Sequence, residues 1–206
     1  MAHARLARSV LLVAAALAVA TAASARTGIP HPDLVVGAGG TFAVTGTPGG
    51  GGVSFSISPM WPVSERLRFG LLGYADDIGT TVVPMSDPND GTPLGPSAQL
   101  HRWAWGAAWR AEADVWKVGR WAGGVSGAWG YWRIEDDRRG TTLGAGSAVG
   151  FVLGADARRP LGRSQSAGLA LRYHRLSQDP HAEWRRVDRY ASAALELRWA
   201  GPGRDD

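Results

Sequence analysis

The residues most suggestive of chemistry stand late in the chain, in Arg172–Asp179, RYHRLSQD, where a histidine precedes a serine by three positions. A serine nucleophile needs a base beside it, and residues two apart share one face of a strand. Ser177 has Arg175 at that spacing. His174 is three residues away, so a regular strand turns the pair to opposite faces, and only a bulge would bring them together. Glu183 is the candidate to orient the base. Other motifs fall short. Gly49–Gly52 lacks the lysine and the helix of a phosphate loop and reads as a flexible hairpin tip. Asp87, Asn89, Asp90 and Gly91 resemble a calcium loop without its final glutamate or flanking helices. The chain has no cysteine, which removes disulfide, thiolate and zinc–thiolate readings. No cofactor and no metal centre is expected.

The remaining chemistry-bearing residues are charges, and their spacing says what must position them. In Gln99–Trp116, Trp103, Trp105, Ala107, Trp109, Ala111, Ala113 and Val115 alternate with Arg102, Ala104, Gly106, Ala108, Arg110, Glu112 and Asp114. A period of two is the mark of a strand with one apolar and one polar face. The run is far longer than the roughly five or six residues of an ordinary strand. In a water-soluble protein the tryptophan face would point inward; in a transmembrane barrel it meets lipid, and the polar and small residues face the lumen. The second arrangement is the one we expect. It sends Arg68, Arg102, Arg110, Glu112, Asp114, Asp156, Arg172, His174, Asp188, Glu196 and Arg198 into the interior. Unpaired buried charge is costly, so these side chains should pair across the lumen and plug it. A switchable gate of Arg110, Arg68 and Glu196 is the sharper reading of the same residues.

The N-terminus points to an envelope location. Arg5 and Arg8 precede an apolar run, Val10–Ala20, and Ala23-Ser24-Ala25 has the form of a signal-peptidase site, so residues 1–25 read as a secretory signal peptide. The apolar run is short of the roughly 20 residues a spanning helix needs. The net charge is +4, of which Arg5 and Arg8 supply two, and the basic residues form no stripe, so nucleic acid is not an expected partner. After a lead at 26–33, eight strands are expected between residues 34 and 199: Leu34–Val44, Val53–Ser58, Arg66–Ala75, Gln99–Trp116, Arg120–Ile134, one centred on Leu143–Leu153, Ala167–Leu176 and Val187–Trp199. Asp76–Ala98 reads as the longest loop, Glu135–Gly140 as a charged loop, Arg158–Gln165 as a turn, and 200–206 as a tail. With the N-terminus in the periplasm, the longest loop is external. Trp61, Trp116, Trp121 and Trp199 then fall at periplasmic strand ends, and Trp103, Trp105, Trp129, Tyr131 and Tyr173 near outer ends, as membrane-interface aromatics. Trp109 falls between the two girdles.

The signal peptide, strand count, alternation and aromatic end of the last strand together resemble the small eight-stranded outer-membrane β-barrels of the OmpA- and OmpX-like class. That resemblance implies an all-β, antiparallel up-and-down barrel over Leu34–Trp199 in the outer membrane of a Gram-negative-type envelope. The chain is expected to act as a monomer in outer-membrane lipid, inserted by the barrel-assembly machinery, with a structural or surface-interaction role and no enzyme activity. Eight strands leave an interior that side chains fill, which disfavours an open pore. The RYHRLSQD stretch also resembles, distantly, the histidine–serine motif of outer-membrane lipid A deacylases, which implies the alternative of a lipid A or phospholipid acyl hydrolase using Ser177. A soluble periplasmic lipocalin-like barrel is the other alternative, and it requires Trp103, Trp109, Trp129 and Leu195 to point inward.

Overall fold

The computed structural model describes residues 31–44, 51–83, 98–138, 141–178 and 187–201. The signal-peptide segment, Glu183, most of the Asp76–Ala98 connection after Val83 and the C-terminal tail lie outside these residues. Eight strands follow one another in chain order: β1 (Asp33–Ala43), β2 (Gly52–Pro62), β3 (Leu67–Val83), β4 (Ala98–Val118), β5 (Trp121–Arg138), β6 (Thr141–Pro160), β7 (Gln165–Gln178) and β8 (Val187–Trp199). Each pairs antiparallel with its neighbours, and β8 pairs with β1 to close a barrel. Closure leaves no edge strand around the wall where all eight strands overlap, which is the condition for strands to stand in hydrocarbon.

The register fixes the shape. Following paired residues once around, from Asp33 through Met60, Gly70, Arg110, Ala128, Val152, His174 and Tyr190, returns to β1 at Ala43, ten residues above the start. Eight strands with that stagger tilt by roughly 40° from the barrel axis. Each residue on the path from Asp33 to Tyr190 is buried, so the path climbs the inner wall from one mouth towards the other.

One end is closed by short turns: residues 63–66, 119–120 and 161–164. At the other end β3 to β6, of 17, 21, 18 and 20 residues, outrun β1 and β2, of 11 each. Several sequence boundaries are therefore corrected. Asp76–Val83 belongs to β3, Glu135–Arg138 to β5, and Arg158–Pro160 to β6. The first was hidden by a bulge between Asp77 and Gly79. Gly79 has φ 95°, and its N–H donates to Asp77 Oδ1 at 2.8 Å, a local kink that reads as a loop in sequence but carries the strand onward.

Candidate functional site

The outer wall is apolar. Trp109, Trp129 and Leu195 are 57%, 63% and 65% exposed, among a belt that includes Phe55, Phe69, Val125, Leu153, Leu169 and Leu171. Phe69 and Trp109 stack flat against one another, centroids 5.7 Å apart. An apolar patch of this extent on a soluble monomer would be anomalous. The lipocalin-like alternative needs these side chains inside, and they are outside. Trp61, Trp116, Trp121 and Trp199 stand at the turn end, by Leu67 and the starts of β5 and β1; Trp103 and Trp105 stand towards the loop end of β4. Trp129 pairs directly with Trp109, so it lies within the belt and not at its outer edge; Tyr131 is one alternation further out, and Tyr173 pairs with Leu153 inside the belt.

The inner wall carries two layers. Towards the turn end, Arg68, Arg110, Arg158, Arg172 and Arg198 meet Asp33, Glu112, Asp114, Asp156 and Glu196, five cations against five carboxylates. Glu112 is the hub. Its carboxylate lies 2.6 Å from Arg198, 3.0 Å from Arg110 and 3.6 Å from both Arg68 and Arg158. Arg68 continues to Asp33 at 3.3 Å and Asp114 at 3.0 Å, Arg158 to Asp156 at 2.9 Å and to Asp114, and Arg172 to Glu196, which also faces Arg110 at 3.8 Å. Four strands supply the partners of Glu112 and its own backbone, so the cluster bridges the bore. Nearer the loop end, Arg102 holds Asp136 by two parallel bonds of 2.6 and 2.7 Å. Of the eleven residues that alternation sends inward, the ten with described side chains sit on the inner face, with Asp114 the most solvated. Asp188 has no described side chain.

Above the ionic layer sits an apolar and aromatic one: Leu72, Tyr74, Ile78, Trp132, Ile134, Val152, Leu176 and Tyr190. Within it Asp76 accepts from Ser54 Oγ at 2.6 Å and, across the bore, from Tyr190 OH at 2.7 Å. The His174 ring stacks on Tyr190, centroids 4.2 Å apart, and meets Tyr74 edge-on. His174 Nε2 is 3.0 Å from Ser192 Oγ, and its Nδ1 is 3.7 Å from Asp76. Serine, histidine and aspartate in that order have the residue types of an acyl-transfer triad. Asp76, His174 and Ser192 are nevertheless among the most buried residues in the chain, covered by the tyrosines, so no carbonyl can approach Ser192. The arrangement is a packed polar core.

The pair singled out in sequence does not come together. β7 pairs with β6 and β8 without a register shift, so the required bulge is absent; His174 points into the lumen and Ser177 stands exposed on the outer face. Sequence reading missed Asp33, Tyr74, Asp76, Trp132, Arg158 and Tyr190 as luminal residues. Parity alone could have found Trp132 and Arg158, which continue the inward series of Ala128 and Gly130, and of Val152, Gly154 and Asp156.

Neither a protein-family model nor a curated relative matches the sequence. Solved structures do. Neisserial surface protein A superposes with a TM-score of 0.61 at 12% identity, covering 82% of this chain and 96% of that one. The N-terminal β-barrel domain of Pseudomonas aeruginosa OprF follows with a TM-score of 0.48 at 10% identity, covering 82% and 98%. Ail, the attachment invasion locus protein of Yersinia pestis, has a TM-score of 0.42 at 9% identity, covering 83% and 98%. The likeness to the neisserial protein is one of fold: the chain has the eight-stranded closed architecture of a small outer-membrane barrel.

Proposed function

We propose that the chain is a non-enzymatic outer-membrane β-barrel of a Gram-negative-type envelope, that its own side chains seal its lumen, and that its role is structural or interactive at the cell surface. The observation that carries the reading is the inversion of the wall, apolar outside and charged within. A belt of tryptophan, phenylalanine and leucine facing outward is stable only against lipid. Five arginines balanced by five carboxylates, capped by an aromatic layer, support an interior filled by side chains rather than by a water column. The barrel works as a monomer, since the wall closes on itself at the depth of the apolar belt and leaves no edge there to pair. It reaches its place through the barrel-assembly machinery, and it meets its surroundings at the loop end, where β3–β6 project.

The test has two parts. In carbonate-washed envelopes the barrel should stay with the membrane and run faster on an SDS gel before boiling than after. Reconstituted in a planar bilayer, it should add no steady conductance. Release by the wash without a gel shift would sink the membrane reading; stable channel steps would sink the sealed lumen.

A further inference from the structure

The turn end of the barrel repeats one chemical pattern three times. The β2–β3 turn offers Val63 and Arg66, the β4–β5 turn Val118 with Lys117 and Arg120, and the β6–β7 turn Leu161 with Arg159 and Arg163. The three aliphatic tips are 69%, 71% and 64% exposed, as open as the side chains of the lipid-facing belt. The five cations are exposed as well, and Glu65 is the one acid among the described turn residues. The carboxylates nearest them in the chain, Asp114 and Asp156, turn into the lumen and are held there by Arg68 and Arg158. A cation with no ion-pair partner among the described residues, beside an exposed aliphatic and three times around one rim, has no account in the fold, because each turn would close equally well with serine or asparagine at its tip.

The rim also lies at a defined depth. Trp61, Trp116, Trp121 and Trp199 mark where the apolar belt ends, and tryptophan prefers that boundary. A turn of two to four residues extends only about 5 Å past the last paired rung, while the headgroup layer on each side of a bilayer is roughly 5–7 Å deep. The tips therefore stay inside the headgroup layer. Aliphatic tips there lie among the glycerol and headgroup atoms, and guanidinium and ammonium groups meet phosphates, as on an interfacial basic helix.

We propose that this rim is a binding surface for anionic glycerophospholipid of the leaflet at the turn end, with Arg66, Lys117, Arg120, Arg159 and Arg163 taking the phosphodiesters and Val63, Val118 and Leu161 packed against the glycerol backbones. The inference rests on the membrane reading above. It assigns a lipid preference to one end of the barrel, where the sealed-lumen reading assigns none.

The test is native mass spectrometry of the full-length barrel released from bilayers of phosphatidylethanolamine with phosphatidylglycerol. Three proteins are compared: wild type, Lys117→Gln/Arg120→Gln/Arg163→Gln, and a loop-end control, Arg133→Gln/Arg175→Gln/Arg189→Gln. Each is first checked for the boiling-dependent gel shift, whose loss in wild type would overturn the membrane reading itself. Wild type and control should keep phosphatidylglycerol adducts that the turn-end variant loses by about tenfold or more. Free inorganic phosphate should not displace them. A Val118→Ser/Leu161→Ser variant, which leaves the charges in place, should also lose adducts. Equal retention by all folded proteins would overturn the proposal, as would displacement by phosphate alone. Retention on sedimented peptidoglycan that depends on the same three cations, with lipid adducts unchanged, would overturn it too.

Discussion

Glu112→Gln is the sharpest perturbation of the interior. The substitution keeps the shape of the side chain and removes one negative charge from the point where Arg198, Arg110, Arg68 and Arg158 converge within 2.6 to 3.6 Å. Asp33, Asp114, Asp156 and Glu196 remain to balance five arginines, so one cation is left uncompensated in a bore that water barely reaches. Removing one partner of a buried ion pair typically costs about 3–5 kcal/mol, because the surviving charge loses its counter-ion without regaining its hydration. The amide oxygen still accepts from Arg198, which places the expected loss at the lower end, about 3 kcal/mol. With a urea slope of about 1–3 kcal/mol per molar, the unfolding midpoint should fall by roughly 1–3 M. The assay is urea unfolding of the reconstituted barrel, followed by tryptophan fluorescence and by the fraction of fast-migrating band on unboiled gels. Pairing Glu112→Gln with Arg198→Met should restore part of the loss, since it removes the orphaned cation; a coupling of about 1–3 kcal/mol in the double-mutant cycle is expected. A midpoint unchanged within error, with additive single effects, would refute the idea that Glu112 is the hub.

Three further outcomes follow from the same geometry. Asp76→Asn should destabilise by about 1–3 kcal/mol, because one of Ser54 Oγ–H and Tyr190 O–H then faces an amide N–H₂ in a dry site; Tyr190→Phe should cost less, and the same urea titration reads both. Trp109→Arg places a charge on the lipid face beside Phe69 and should cost about 2–4 kcal/mol, whereas in detergent-free buffer a soluble barrel would tolerate it; a shift of the unfolding midpoint in bilayers decides. Ser177→Ala should leave the lipid A mass spectrum of expressing cells as it is with the wild-type chain, since Ser177 and His174 stand on opposite sides of the wall. A mass change seen with wild type and lost in the variant would restore the hydrolase reading.

Much of this fold is written in the alternation. Where one parity is bulky and apolar and the other small or charged, as from Trp103 to Val115 or from Trp121 to Tyr131, the strand, its outward face and its luminal charges can be read directly. Reading fails where type and parity conflict. Trp132 follows two belt aromatics of the opposite parity and looks like a third, yet it points inward, where its ring lies against Gly106 on the neighbouring strand. The absent side chain of Gly106 makes the room, and cross-strand partners cannot be known before the register. Asp76 and Asp77, next to glycine and two threonines, have the composition of a loop; what keeps them in β3 is the Gly79 bulge and the hydroxyls of Ser54 and Tyr190, the latter 114 positions away. The ionic hub is legible only as a set of charges sharing a face. Which arginine meets which carboxylate depends on the ten-residue stagger of the closed barrel, and no local pattern encodes that.

That stagger has a bearing on how the chain is made. Arg198 reaches Glu112 across 86 positions, and Tyr190 reaches Asp76 across 114, so both interior layers are completed by β8, the eighth strand in chain order. Until β8 docks against β1, the hub lacks its shortest contact and the Asp76 carboxylate lacks its tyrosine. A sheet without β8 therefore carries uncompensated charge on the side that becomes the bore, until the seam from Leu34 and Trp199 to Ala43 and Tyr190 is paired. Neutralising the interior and closing the wall thus depend on the same strand, and β8 is the latch of both.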